Sequence, residues 1–323
     1  MRPRTISLLR RHDLEIVLAV RPWQLAELPD VARTLRDAGV PVAIWPMLSD
    51  DDGRWASAQN ATSFVTLVRS AADALEVAGV APREVLLDLE PPFAHARALA
   101  ATGGSDSEAT GSTARALFGL GGARGASAPA MDAASSELAA AVNELHARGI
   151  ATASAVWPLV ALDAPGERGW QALLGTPVDA LATGRVSVMM YTSILEGWSR
   201  GTVRRRDATA LLSAASVRVT RRWGDRAGMS IGCVGTGALV DEPTYRAPSE
   251  LAVDAALARA GGCHDLSLFD LGGVLGREPA EAWLDAFAHG AETLDAATSK
   301  RVHIARRLAR VASWTLQRVR RSV

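Results

Sequence analysis

Short apolar runs alternate with longer stretches of helical periodicity along most of the chain. Runs at Leu14–Val20, Val42–Trp45, Val85–Glu90, Ala151–Trp157, Val186–Tyr191, Met229–Val234 and Asp265–Leu271 have the length and residue types of buried parallel strands. A shorter run, Asp179–Ala182, brings the set to about eight. Between them the spacing predicts helices, among them Met131–Arg148, one near Arg205–Trp223, Pro248–Ala260 and Pro279–Ala288. Gly39, Gly79 and Gly149 stand where helices should stop, and prolines follow several strands. Strand and helix in regular alternation predict a mainly parallel sheet. About eight such units in one chain of this length fit a (β/α)₈ TIM-type barrel better than an open sheet, with room for one degenerate unit.

The pattern breaks in two places. Residues 98–129 are dominated by alanine, glycine and serine, a composition that buries little. They are expected to form a flexible insertion over the strand exits of a barrel spanning 1–294. Residues 295–323 form a separate basic amphipathic helix, Ser299–Arg321. Its stripe of Val302, Ala305, Ala309, Ala312, Leu316 and Val319 is flanked by arginines. Through 299–321 such a helix is expected either to contact an anionic membrane peripherally or to dock on the barrel's own helices.

Composition narrows the class of protein. Hydrophobic residues make up 48% of 323, and the formal net charge is zero. The chain is therefore globular, and nothing in its charge points to nucleic acid. The two cysteines, Cys233 and Cys263, fall after one strand and before the next, at opposite ends of a barrel, which argues against a disulfide. Residues 1–13 lack the apolar core of a signal peptide, and no run has the length of a membrane span. As written the chain reads as cytoplasmic; a leader preceding it would make it secreted or periplasmic.

Barrel enzymes keep their chemistry where strands end and βα loops begin. The residues at those exits include Arg21 and Trp23, Trp45, Asp88 and Glu90, Trp157, Tyr191 and Glu196, and Phe269 and Asp270. Tryptophan faces beside carboxylates suit a sugar, which stacks on the ring and hydrogen-bonds to the acid; otherwise the rings cap an apolar core. Asp88 and Glu90 are two apart on one strand and so share a face. Their repulsion should raise one pKa, which general acid catalysis requires. Otherwise the pair is structural, bound to backbone amides or to an arginine such as Arg21. Neighbours on one strand cannot easily flank a glycosidic bond. The nucleophile is therefore a distant acid (Glu196, Asp241 or Asp270) or a group of the substrate. No histidine cluster marks a metal site, no glycine-rich loop follows a strand, and no cofactor is expected.

Val85-Leu86-Leu87-Asp88-Leu89-Glu90 resembles the end of the catalytic strand motif of family 18 glycoside hydrolases, the chitinase-like TIM barrels, and Met189-Met190-Tyr191 resembles that family's Met-x-Tyr. The resemblance implies substrate-assisted hydrolysis of a glycan containing N-acetylhexosamine. It implies Glu90 as proton donor, Asp88 as the residue that orients the acetamido group, and Tyr191 as a hydroxyl steadying the intermediate. Trp23, Trp45, Trp157, Arg21, Glu196, Phe269 and Asp270 are then expected to line the carbohydrate. The family's earlier aspartates are replaced by Leu86 and Arg83, and Thr192 stands where an aspartate usually follows the tyrosine. Those departures favour the other expectation, a non-catalytic glycan-binding or scaffolding protein on a degenerate barrel.

Overall fold

A computed structural model of the chain describes residues 3–94, 96, 126–164, 166–199, 201–237, 241–291 and 299–304. The chain divides into two compact units, the first built on 1–94, 125–156 and 171–185, the second on 95–124, 157–170 and 186–323. Most of the insertion expected at 98–129, and all of the basic tail beyond Ile304, lie outside the described residues.

The first unit opens with helix α1 (Pro3–Arg11). Then come β1 (Ile16–Val20), α2 (Leu28–Asp37), β2 (Val42–Pro46), α3 (Ala61–Val77), β3 (Glu84–Leu89), α4 (Ala128–Ala147) and β4 (Ala151–Val156). Its strands pair in sequence order and all in parallel, with Leu18 opposite Ile44, Ile44 opposite Val85 and Leu87 opposite Ser154. Parallel strands covered on both faces need continuous apolar runs. Ile44, Val85, Leu87 and Leu89 are accordingly removed from solvent, as are Phe64 and Leu75 of α3 and Leu138 of α4. Each such side chain contributes about 1.5–3 kcal/mol of burial. Gly39 and Gly79 end α2 and α3 at φ 73° and 66°, a left-handed conformation that glycine adopts without a Cβ clash.

The second unit holds β5 (Arg185–Met190), α5 (Thr192–Trp198), α6 (Arg205–Trp223), β6 (Ala227–Gly232), α7 (Pro248–Ala260), β7 (Asp265–Phe269), α8 (Leu271–Gly276) and α9 (Ala280–His289). Again the strands are parallel, with Val188 opposite Met229 and Ile231 opposite Leu268. Met229, Ile231, Leu212, Leu251 and Trp283 fill its interior. Cys233 and Cys263 are both buried and unbridged, as their strand positions predict.

One predicted strand is absent. Asp179–Ala182 does not pair; Val178–Ala180 is a single 3₁₀ turn. Pro177 precedes it, and Gln171 closes it by donating to the Asp179 carboxylate at 2.9 Å while accepting from the Asp179 amide at 2.9 Å. A side chain thus takes the Asp179 amide that a neighbouring strand would have engaged. Val186–Tyr191 therefore contains the fifth strand, not the sixth. Helix α1 is the opposite case: among its arginines Leu8 and Leu9 are buried and Ile6 is half-buried.

Candidate functional site

In the first unit the exit of β3 carries the carboxylate pair. Asp88 is 1% exposed and Glu90 is nearly as deep. Neither Asp88 carboxylate oxygen has a hydrogen-bond partner of normal geometry. Burial pushes the Asp88 carboxyl well above the usual carboxylate range. The adjacent Glu90 pushes it further by charge and by its own hydrogen bond, against weaker opposing effects of the Trp45 indole and the Arg54 charge. Two carboxyls so placed compete for one proton, and both burial and the Glu90 charge favour the protonated form of Asp88. The sequence pattern alone places a raised pKa on one of the pair and, through the resemblance, a protonated acid on Glu90.

The loop after β2 folds back over this exit. The Ala56 amide donates to the Asp88 carbonyl at 2.8 Å, and Ala56 bridges Leu89. Asn60 holds the loop from beneath by donating to the carbonyls of Asp52 (2.9 Å) and Trp55 (2.8 Å). Within it Arg54 sits at φ 60°, a region that residues with a Cβ seldom adopt. Both its Nε and its Nη2 donate to Asp50 at 2.8 Å, and this fork keeps the strained residue in place. Its guanidinium lies 4.4 Å from the Phe93 ring centroid and 5.6 Å from that of Trp55. The two rings meet edge to face at 5.6 Å.

Arg21 binds the same Asp50 at 2.5 Å, so the acidic loop supplies its partner and the carboxylate pair does not. Trp23 is 65% exposed, with the Arg21 guanidinium 4.9 Å from its ring centroid. Trp45, near the end of β2, is half-buried. These residues, with Asp88 and Glu90, are the predicted site residues that belong to the first unit. Arg54, Trp55, Phe93 and the bridging role of Asp50 escape a reading of strand exits, because they sit inside a loop. The adjacent Arg54-Trp55 is the signal that would have drawn notice.

In the second unit Tyr191 follows β5, and its ring stacks on Phe269 at 5.6 Å and 26°. Its hydroxyl is 3.2 Å from Ser230 Oγ. Asp270 caps α8, accepting from the Gly273 amide at 2.8 Å. Glu196 is engaged at the surface by Arg246 at 3.0 Å. Trp157 is half-buried beyond the end of β4. Thr192 donates its hydroxyl to Asp254, which also accepts from Tyr245 and Arg205, both at 2.7 Å. Burial pushes the Cys233 thiol far up, so it is no nucleophile at neutral pH. Among the described residues no group of three or more His, Cys, Asp or Glu side chains is placed to hold a metal ion, and no helix is long and apolar enough to cross a membrane.

No protein-family model and no curated protein sequence matches the chain. Solved structures do match it. A broad-specificity GH5-4 endoglucanase from an uncultured bacterium superposes with a TM-score of 0.52 at 12% identity, over 88% of this chain and 84% of that one. The PgaB glycoside hydrolase domain of Bordetella bronchiseptica gives 0.48 at 14% identity, over 89% and 94%. A chitinase from Chromobacterium violaceum gives 0.46 at 16%, over 89% and 95%. Sugar epimerases are also among the matching structures. At such identities the likeness speaks for the fold alone. That fold is α/β, of the TIM-barrel type, with seven parallel strands alternating with helices among the described residues.

Proposed function

We propose that the protein is a glycoside hydrolase acting on a glycan that contains N-acetylhexosamine, with Glu90 as the general acid and Asp88 assisting. The observation that carries this reading is the buried Asp88–Glu90 pair at the exit of β3, where burial and the neighbour's charge both raise the Asp88 carboxyl. A site that raises a carboxyl's pKa above the ordinary range favours the protonated acid that leaving-group departure needs. When a sugar covers Glu90 and strips its remaining water, the shared proton moves from Asp88 to Glu90. Glu90 then donates it to the glycosidic oxygen as the C1–O bond breaks. Asp88, now ionised, holds negative charge beside the cationic sugar while the substrate's acetamido oxygen closes on C1, and water later opens that ring. The resemblance of Val85–Glu90 to the family 18 strand motif supports the substrate class.

The test compares wild-type protein with Glu90→Gln on an aryl glycoside of N-acetylglucosamine and on chitin oligomers. The substitution should lower turnover by roughly 10²–10⁴-fold while leaving ligand binding intact. Wild-type turnover untouched by the change would move the chemistry to other residues.

A second reading, glycan binding without turnover, is favoured by one observation. Thr192, where the family's motif usually has an aspartate, spends its hydroxyl on the buried Asp254. Binding of the oligomers with no product from wild-type protein would select this reading.

A further inference from the structure

Formal charge is balanced over the whole chain, but basic side chains collect along one groove of the second unit. An open groove of about 1290 Å³ runs along α6, and Arg206, Arg218, Arg221, Arg222, Lys300 and Arg301 line it. The one carboxylate on its wall, Asp163, is buried and accepts from the Trp170 amide at 2.9 Å.

The helix itself explains the shape. Arg206, Ala210, Ala214, Val217 and Arg221 recur at spacings of three and four, so they share one face of α6. Small side chains in the middle leave the floor open, and arginines stand at both ends. Arg206 and Arg221 are fifteen residues apart, about 22 Å along a helix. One long wall is braced: Arg218 donates to the carbonyls of Ala161 and Leu162, and Arg222 to that of Asp163. The other is fixed where Ser299 donates to Asp207 at 2.5 Å and Arg301 to the Thr202 carbonyl at 2.9 Å. Val302 is buried beside them. Arg206, Arg221 and Lys300 are exposed; the Arg206 charge acts on the neighbouring Asp207 carboxyl, which Ser299 already engages.

We infer that this groove is a binding site for an elongated oligoanion carrying phosphate groups. Cations spaced along a braced, open groove can each meet one anionic group of an extended ligand, and guanidinium groups meet phosphate oxygens in pairs. The chain's own tail is excluded as occupant by charge. Residues 305–323 contain Arg306, Arg307, Arg310, Arg318, Arg320 and Arg321 and no Asp or Glu. The phosphates can belong to a soluble oligophosphate or to lipid headgroups, and the experiment separates the two.

Full-length protein is titrated calorimetrically with inorganic tripolyphosphate. It is also sedimented with vesicles of phosphatidylglycerol, with phosphatidylcholine vesicles as the neutral control. Both assays are repeated with the variant Arg206→Gln/Arg221→Gln/Lys300→Gln, whose changes lie at exposed positions. A thermal melt confirms that it is folded. Lys300→Arg serves as a charge-preserving control. The site is supported if either probe binds the wild type and the Lys300→Arg protein, and the triple variant loses at least roughly tenfold in affinity. Tripolyphosphate binding points to a soluble ligand, and vesicle binding alone to a headgroup. Absence of binding to both probes, or binding that the triple variant retains in full, overturns the inference.

Discussion

Asp88 and Asp254 are both withdrawn from water, at 1% and 0% exposure, and the protein treats them in opposite ways. Asp254, on α7 of the second unit, accepts from Arg205, Tyr245 and Thr192. Arg205 is itself anchored on the Glu250 carbonyl at 2.7 Å. Burial raises the Asp254 carboxyl, but Arg205 and the two hydroxyls oppose it. Tyr245, buried against that charge, is pushed well up and stays a donor. Asp88, at the exit of β3 in the first unit, meets a second carboxyl in place of a cation, and neither of its oxygens is hydrogen-bonded in normal geometry. A buried carboxylate costs several kcal/mol unless it is paired or neutralised. Asp254 is paired, whereas the environment of Asp88 favours its protonated form. The first solution holds helices together. The second leaves a titrating group in place, the usual mark of a working site.

The sharpest way to break this comparison is to remove the paired aspartate. Asp254→Ala leaves the partly buried Arg205 and the buried Tyr245 hydroxyl without their acceptor, and should cost about 3–5 kcal/mol of stability, read from urea unfolding. A loss below about 1 kcal/mol would mean that the network adds little to the fold.

Asp88→Asn should behave differently. A neutral isostere spares the fold the cost of protonating a carboxyl that is ionised in the unfolded chain, so the variant should be more stable than wild type above the ordinary carboxylate range and close to it below. The pH dependence should change more clearly. The folded-state pKa of Asp88 is raised above its unfolded value, so between the two values the native state holds more protons. Asp88 therefore gives its full stabilisation below the ordinary carboxylate range and loses it as pH rises through the folded-state pKa. Asp88→Asn should flatten that decline in urea melts collected across pH. A decline that persists unchanged would assign it to other groups.

How much of this was legible in the sequence depends on whether the decisive contacts are local. The ends of α6 and α7 follow the predicted limits because helical periodicity, Pro248 and Gly224 lie in the segments themselves. The strand exit at Asp88–Glu90 is equally local, since an apolar run stops at Pro91-Pro92. Asp179–Ala182 has strand-like residues, but the competitor for its hydrogen bonds, Gln171, is a side chain that no strand pattern reveals. Arg54 acts on Asp88 only because the loop 47–56 closes over β3. Asp254 sits in Leu-Ala-Val-Asp-Ala-Ala-Leu, where one acid in an apolar helix reads as a solvated position until Tyr245 and Arg205 are seen to converge on it. Which of two carboxyls carries a proton depends on burial, and burial is a property of the fold.

A third aspartate gives the smallest and most discriminating effect. Asp50 is 40% exposed and lies between Arg54 and Arg21. Its hydrogen bond with Arg54 leads in holding its carboxyl down to about 2; burial opposes it, and Arg21 adds a second hydrogen bond and charge. Because the folded-state pKa is depressed, the sign is the reverse of that for Asp88. The stabilisation is present above the ordinary carboxylate pKa of about 4 and is lost as pH falls through about 2. Partial exposure screens it, so Asp50→Asn should cost about 1 kcal/mol or less at neutral pH. The Asp50→Asn deficit should close as the solution is acidified, whereas Asp88→Asn should show a gain in stability that fades on acidification, the opposite sign. Acid titrations of the two single variants against wild type, followed by urea unfolding at each pH, test both signs at once. An Asp50→Asn deficit that stays constant down to pH 2 would show that the aspartate serves Arg54 as a neutral acceptor, with the strained loop held by geometry and not by charge.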